Sequence, residues 1–510
     1  MKPALSATGP STGWTALPIL LLLLGHALLF GFVVDDAWIS LRYADNLVGG
    51  HGLVFNPGEP VEGYSNLLWV LLGALGLELG APPLLWLRIL GTLAMGALLL
   101  LVPGALHRLQ PERRYEDPWA APATQLVIAA AGPVACWMLA GLETPLFALL
   151  VFGAWRTAMG RHPLGAGLLG LLLALTRPEG LALGAIFCAW SLLPSRELRP
   201  AVQSPWRRWG GPAVFLLGIL AYLWWRHHIY GFWLPNTYYA KTGDLAGQVK
   251  TGLPYAKDFL LRYGLPLGLV AIAAPARGGA GLLLRLPVLL SVGLLAAWLG
   301  YTIVVGGDML GMFRFWAPLL PVAVTVTMSL AAGAEWLVRP GRAALVALPL
   351  VAALLYSSFE GRERRLVDIH MSEANLGGWI LAGDAMAAQL PAGTSIALGP
   401  AGYIPWRTGF RTLDFYGIVT PAIAHRAGPF QHAYAGHGKT DGPWIVSRRP
   451  DYILVGNVDI TARPRQGLIP PLDREVDLVL DPRFQQEYEQ TWLPVAGGKV
   501  LNLFKRKGVR

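Results

Sequence analysis

The chain has 510 residues, 54% of them hydrophobic and only 14% charged, with a mean hydropathy of +0.46. Soluble domains carry roughly 25% charged residues, so the composition excludes a water-soluble globular protein. The net charge of +10 is no nucleic-acid footprint, because the arginines cluster between apolar runs, where they set membrane topology.

Apolar runs that read as membrane-spanning helices cover about 14–34, 86–106, 123–141, 145–160, 163–176, 181–194, 211–229, 263–277, 283–304, 315–336 and 342–357, some borrowing flanking residues to reach the length of a span. The first is longer than the apolar part of an ordinary signal peptide and ends in "FGFVVDD" without a small-x-small cleavage site, so it reads as an uncleaved span. The run 66–79, "NLLWVLLGALGLEL", reads as a helix along or dipping into the membrane edge. Cys136 and Cys188 lie inside apolar runs and read as small buried hydrophobes, leaving neither a disulfide framework nor a cysteine metal site.

Charge supports this assignment. Lys2, Arg108, Arg113, Arg114, Arg156, Arg161, Arg196, Arg199, Arg207, Arg208, Arg277, Arg339 and Arg342 then share one side, which the positive-inside rule makes cytoplasmic. Asp35, Asp36, "GLETP", "TRPEG", "RHHIYGFWLPNTYYAK" and "GGDMLGMFR" share the other. The expectation is about eleven spans with the amino terminus inside and the tail outside. Ionisable groups at a membrane boundary are costly unless paired or wet, so acids and bases in five separate outer segments suggest a shared polar cavity.

Asp35 and Asp36 follow the first span. One Asp can cap the helix that "AWISLRYADNLV" begins, but capping does not account for two. A carboxylate at a low-dielectric boundary beside a second charge has its pKa raised, which makes it a candidate general base. Arg42, Asp45 and Asn46 lie within one turn of each other and read either as a solvated face or as part of the site. The loop "GGHGLVFNPGEPVEGYSN", with His51, Glu59 and Glu62, is too rich in Gly and Pro for a helix, so residues 35–85 form a first outer loop carrying two boundary helices. In "GLETP" Glu143 opens a span. In "ALTRPEG" Arg177 and Glu179 read as a structural ion pair or as site residues. Arg226, His228, Asn236, Tyr239 and Lys241 lie in an aromatic stretch that suits either interfacial anchoring or a sugar bound beside a phosphate. His227 and His228 are adjacent helical positions and point apart, which disfavours a metal between them. Asp308 and Arg314 stand at the entry to another span. A phosphate anchored in lipid would be stabilised by such cations as it leaves, while a carboxylate takes the proton from an incoming hydroxyl.

From Ser358 the apolar runs shorten. "LVDIHMSEANLGGWILAGDAMAAQL" reads as an amphipathic helix, "TSIALG", "RTLDFYG" and "DYILVG" as short buried strands, and "PAGYIPWRTG" as a helix or turn. The expected organisation is a transmembrane region, 1–357, and a small extracytoplasmic α/β domain, 358–510. "GPAGYIPWRTG" lacks a phosphate-loop pattern. His432, His437, Lys439 and Asp441 read as part of an exposed loop, either inert or touching an acceptor glycan.

The segments "DDAWISLRYADNLVGGHGLVFNPGEPVEGYSNLLW", "GLETPLFALL", "LTRPEG", "YGFWLPNTYYAK" and "GGDMLGMFRFWAPLLP", in that order, resemble membrane glycosyltransferases of the GT-C fold, and among them the terminal arabinofuranosyltransferase family of the mycobacterial cell wall. The resemblance covers most of 30–320. It implies a polyprenyl-phosphate sugar donor, arabinofuranose among the sugars, a cell-envelope glycan or lipid acceptor, and Asp35 or Asp36 as the catalytic carboxylate. Charge and side add Arg177, Lys241 and Arg314 as phosphate contacts, with Arg42, Glu143, Glu179, Arg226, His228, Asn236, Tyr239 and Asp308 around the donor. A bacterial inner-membrane location is implied, with no obligatory cofactor, although two carboxylates could hold a divalent ion. The rival reading is a lipid-linked saccharide transporter or flippase, which would place its ionisable groups near the bilayer midplane and show repeat symmetry.

Overall fold

The computed structural model describes residues 12–110, 117–193, 205–273, 285–332, 342–426 and 438–509. Lys2, Arg113, Arg114, Arg196, Arg199, Arg277, Arg339, His432 and His437 lie outside the described residues. Most of the described chain is helical.

Among the described residues, two helices are long and apolar enough to cross a membrane, Pro83–Leu109 and Leu286–Val304. Two bent pairs, Ala120–Ala130 with Gly132–Met138 (69°) and Ala343–Phe359 with Arg362–Gln389 (46°), raise the number to four if each pair is one span. Thr15–Phe30, Leu67–Glu78, Thr144–Met159, Pro163–Thr176, Gly180–Leu192 and Leu320–Ala332 are apolar but only 10–17 residues long. The expected eleven full-length spans are therefore not all met by length. At 123–141 the reason is local: Ala131 is extended, with ψ 114°, and Pro133 cannot donate to the helical ladder, so one expected span becomes two helices. At 263–277 a π-helical turn, Leu260–Gly264, precedes the helix Leu265–Ala273.

The chain forms two compact units, which do not follow the expected division at 357/358. The first comprises Met1–Phe32, Leu87–Ile219 and Val249–Arg364. Its first helix is apolar on every face: Leu23 and Ala27 are buried while Leu21, Leu22, Leu28 and Leu29 are exposed. A helix at a water boundary would turn polar there, so this unit is built for lipid. Glycines let its helices approach closely, as in membrane bundles. A Cβ on Gly167 would lie 2.0 Å from the Gly211 carbonyl oxygen, and one on Gly184 would lie 2.8 Å from that of Gly170.

The second unit comprises Val33–Trp86, Leu220–Gln248 and Arg365–Arg510. It holds the helices Asp36–Val48, Leu67–Glu78, Asn236–Lys241 and Leu376–Gln389, and a six-stranded sheet. The strands are β1 (Ser395–Leu398), β2 (Arg411–Asp414), β3 (Tyr452–Ile453), β4 (Asp459–Thr461), β5 (Tyr488–Val495) and β6 (Lys499–Arg506). β1 lies parallel between β2 and β3; β6 runs antiparallel to β3, β4 and β5. The three strands expected from sequence are β1, β2 and β3, and the expected turn is the helix Tyr403–Thr408. The expected amphipathic helix is split, because Arg362–Met371 ends before Leu376–Gln389 begins.

The first-loop segment completes the edge of β2. Asn56 Nδ2 donates to the Thr412 carbonyl and Thr412 N–H donates to Asn56 Oδ1, both at 3.0 Å. One side-chain amide thus does for an edge strand what a neighbouring strand would do.

Candidate active site

In the second unit, Asp35 directly precedes the helix Asp36–Val48, but its side chain makes no cap bond. Instead Oδ2 accepts the N–H of Gly402 and Oδ1 that of Tyr403, both at 2.8 Å. Burial, with 6% of the residue exposed, lifts its carboxyl to about 7; the two amides pull it down and neighbouring Asp36 pushes it up. A group of that proton affinity suits a general base near neutral pH. Gly402 has no room for a side chain, since a Cβ would stand 2.4 Å from Asp35 Cγ. Asp36 is half-buried in the first helical turn, where the helix dipole favours an acid.

Arg42, expected near the donor, has a different task. It is buried and donates to the carbonyls of Phe55 (3.0 Å), Pro405 (2.9 Å), Gly409 (3.1 Å) and Phe410 (3.3 Å). Asn46 donates to those of Val54 and Phe55. These side chains stitch the loop after the Asp pair to the segment that holds Asp35. The solvated-face reading therefore fails for Arg42 and Asn46.

Arg226 and Asn236 are likewise committed. Arg226 Nε lies 2.7 Å from Glu62 Oε2 with both side chains buried, and its Nη2 donates to Tyr222 Oη. Burial lifts the Glu62 carboxyl to about 7 against the pull of Arg226. Asn236 Nδ2 donates to the carbonyls of Gly417 and Ile418. His228 is exposed and stacks on Trp224, with centroids 5.6 Å apart. Tyr239 is half-buried against His425 and Phe232, and its carbonyl accepts from Lys439 Nζ. Lys241 is half-buried, makes no ion pair among the described residues, and lends charge to Asp414. Burial lifts Asp414 to about 6 although the amides of Tyr416, Val419 and Ile418 and the charge of Lys241 lower it. Sequence reasoning missed Asp414; its signal was an acid closing the apolar strand "RTLD".

In the first unit, Glu143 Oε1 accepts from Arg177 Nη1 at 2.6 Å and from Arg314 Nη2 at 3.2 Å, and Arg177 Nε bonds Glu179. Burial would lower the Arg177 guanidinium, but the two carboxylates overcome it and hold it protonated. Arg314 lies over the Trp137 ring, whose Nε1–H donates to the Met312 carbonyl at 3.0 Å. The backbone there is strained, with Met312 at φ +49° and Phe313 at +44°. Asp308 Oδ1 accepts from Leu310 N–H at 3.1 Å. The expected gathering thus falls into two sets: Glu143, Arg177, Glu179, Asp308 and Arg314 in the first unit, the rest in the second.

Among the described residues no group of three or more His, Cys, Asp or Glu is placed to hold a metal ion.

A sequence-family profile described as a domain of unknown function (DUF8728) matches residues 367–504. The chain is 31% identical over 284 residues to the terminal beta-(1->2)-arabinofuranosyltransferase of Mycobacterium tuberculosis, covering 49% of this chain and 44% of that protein. It is 29% identical over 345 residues to the protein of the same name from Corynebacterium glutamicum, covering 58% and 48%. The chain therefore spans about half the length of the curated relatives it matches. The crystal structure of ArnT from Cupriavidus metallidurans, bound to undecaprenyl phosphate, superposes with a TM-score of 0.58 at 13% identity, covering 98% of this chain and 99% of that one. The chain thus has the GT-C fold: a helical membrane protein with a small sheet domain.

Proposed function

We propose that this chain is a membrane glycosyltransferase that moves a sugar, arabinofuranose as the first candidate, from a polyprenyl-phosphate donor to a cell-envelope glycan or glycolipid. The observation that carries the reading is the likeness to two proteins named as terminal arabinofuranosyltransferases, on a fold shared along nearly the whole chain with a protein that holds a polyprenyl phosphate.

Asp35 takes the proton from the acceptor hydroxyl. The hydroxyl oxygen attacks the anomeric carbon, the bond from that carbon to the phosphate oxygen breaks, and polyprenyl phosphate leaves with the electron pair. Lys241, with no ion pair among the described residues, is the cation best able to meet the phosphate. Arg42 and Arg226 are committed to protein partners and act in support. No divalent ion is required, because a single phosphate can be met by ammonium and guanidinium groups. The enzyme sits in the bacterial inner membrane with its amino terminus cytoplasmic, and with Asp35 and the sheet domain on the extracytoplasmic side.

The test uses the purified full-length chain with a synthetic polyprenyl-phosphate arabinofuranose and an oligo-arabinofuranoside, the product being read by mass spectrometry. A product one pentose heavier supports the proposal. A labelled lipid that crosses liposomes with no new glycosidic bond would establish the transporter reading instead.

A further inference from the structure

Tyr403 faces two ways. Its amide holds Asp35, at 2.8 Å, while its hydroxyl donates to Asp384 Oδ1 at 3.1 Å. Arg407, one turn further along the helix Tyr403–Thr408, gives its Nε–H to the same oxygen at 2.7 Å. Both partners of this ion pair are half in water, Arg407 with 47% of its side chain exposed and Asp384 with 51%. Asp384 Oδ2 makes no hydrogen bond among the described residues. Arg407 carries five N–H groups and commits only one to the carboxylate.

Three aromatic rings lie alongside. Trp38 is buried and meets Tyr403 edge-on with centroids 5.1 Å apart. Trp406 is half-buried, 5.7 Å from the Tyr403 ring and 6.5 Å from that of Trp38. The patch therefore offers apolar ring surface, a carboxylate oxygen with spare acceptor capacity and a guanidinium with spare donors, side by side. A sugar presents the matching set: an apolar face of C–H groups that lies on aromatic rings, and neighbouring hydroxyls that donate to a carboxylate while accepting from a guanidinium. A surface ion pair between such exposed groups contributes little to stability, so packing alone gives it small value here.

We propose that Trp406, Tyr403, Asp384 and Arg407 form a subsite for the acceptor glycan. The subsite binds a sugar unit of the acceptor chain, and Tyr403 joins it directly to Asp35, which its amide holds. This inference rests on the proposed transferase reading for the ligand's role, but not for its binding. Its residues are distinct from those assigned to the donor.

The experiment uses the full-length chain in detergent micelles and a synthetic arabinofuranosyl hexasaccharide as probe. Binding is measured by calorimetry, and acceptor KM and kcat by product formation, for wild type, Arg407→Ala, Trp406→Ala and Trp406→Phe. Arg407 is exposed, so its variant folds. The inference predicts that Arg407→Ala and Trp406→Ala weaken hexasaccharide binding and raise acceptor KM roughly tenfold or more, as expected for a lost charge-assisted hydrogen bond, with kcat and donor KM unchanged. Trp406→Phe, keeping a ring, recovers most of the loss. If wild type binds the hexasaccharide and the variants bind it less, but none makes product, the subsite stands and the transferase reading falls. Unaltered binding and KM in Arg407→Ala, or no binding by wild type, overturns the subsite.

Discussion

The carboxylate of Asp35 and the amide of Gly402 meet at 2.8 Å although 367 positions separate them in the chain. With the Tyr403 amide on the other oxygen, the Asp35 side chain is set in one orientation. Fixing a base before substrate arrives removes the cost of ordering it during reaction.

Gly402→Ala should break this arrangement. The added Cβ would lie 2.1 Å from the Asp35 carbonyl oxygen and 2.4 Å from its Cγ, so one backbone segment must move. Losing amide bonds to a buried charge costs about 3 kcal/mol. We expect a lower melting temperature and a fall in kcat larger than the rise in KM, checked by thermal unfolding and steady-state kinetics.

The pH dependence follows from burial. Asp35 and Glu62 are both lifted to about 7 in the folded protein, above their ordinary values of 3.8 and 4.5. Between those limits the folded chain binds more protons than the unfolded one, so stability falls as pH rises. The contribution is complete below pH about 4 and lost once pH passes about 7. Melting temperature should decline across that window, and the decline should shrink in Glu62→Gln. Activity runs the other way: kcat/KM should rise as Asp35 loses its proton and level off above pH about 7.

The Glu62–Arg226 pair is buried on both sides. Removing Arg226 alone leaves an unpaired buried carboxylate, which costs about 3–5 kcal/mol. Arg226→Met should therefore destabilise the protein far more than the double variant Glu62→Gln/Arg226→Met. Urea unfolding of both single variants and the double variant checks this, and losses that simply add in the double variant would mean that the pair is not coupled.

Much of the architecture was legible because periodicity and apolar length are local signals. The helices Pro163–Thr176 and Leu286–Val304 and the strand Ser395–Leu398 fall where their runs predict. The hairpin of β5 and β6 was missed, although Gly497 and Gly498 both adopt positive φ, +81° and +71°, and "AGG" between two strand-like runs is a turn signal. The Asp pair stood out because two adjacent acids after an apolar run are costly. The partners of the arginines were not legible. Arg42 meets Pro405 and Gly409 across more than 360 positions, and no local pattern tells a guanidinium that binds phosphate from one that binds backbone carbonyls.

The central claim is tested most directly by single-turnover transfer from a polyprenyl-phosphate sugar in Asp35→Asn, beside Asp36→Asn and wild type, with circular dichroism as a check on folding. The account predicts that Asp35→Asn remains folded and transfers more than about a hundredfold more slowly, the loss of a general base, while Asp36→Asn loses less. Wild-type rates in a folded Asp35→Asn would contradict it.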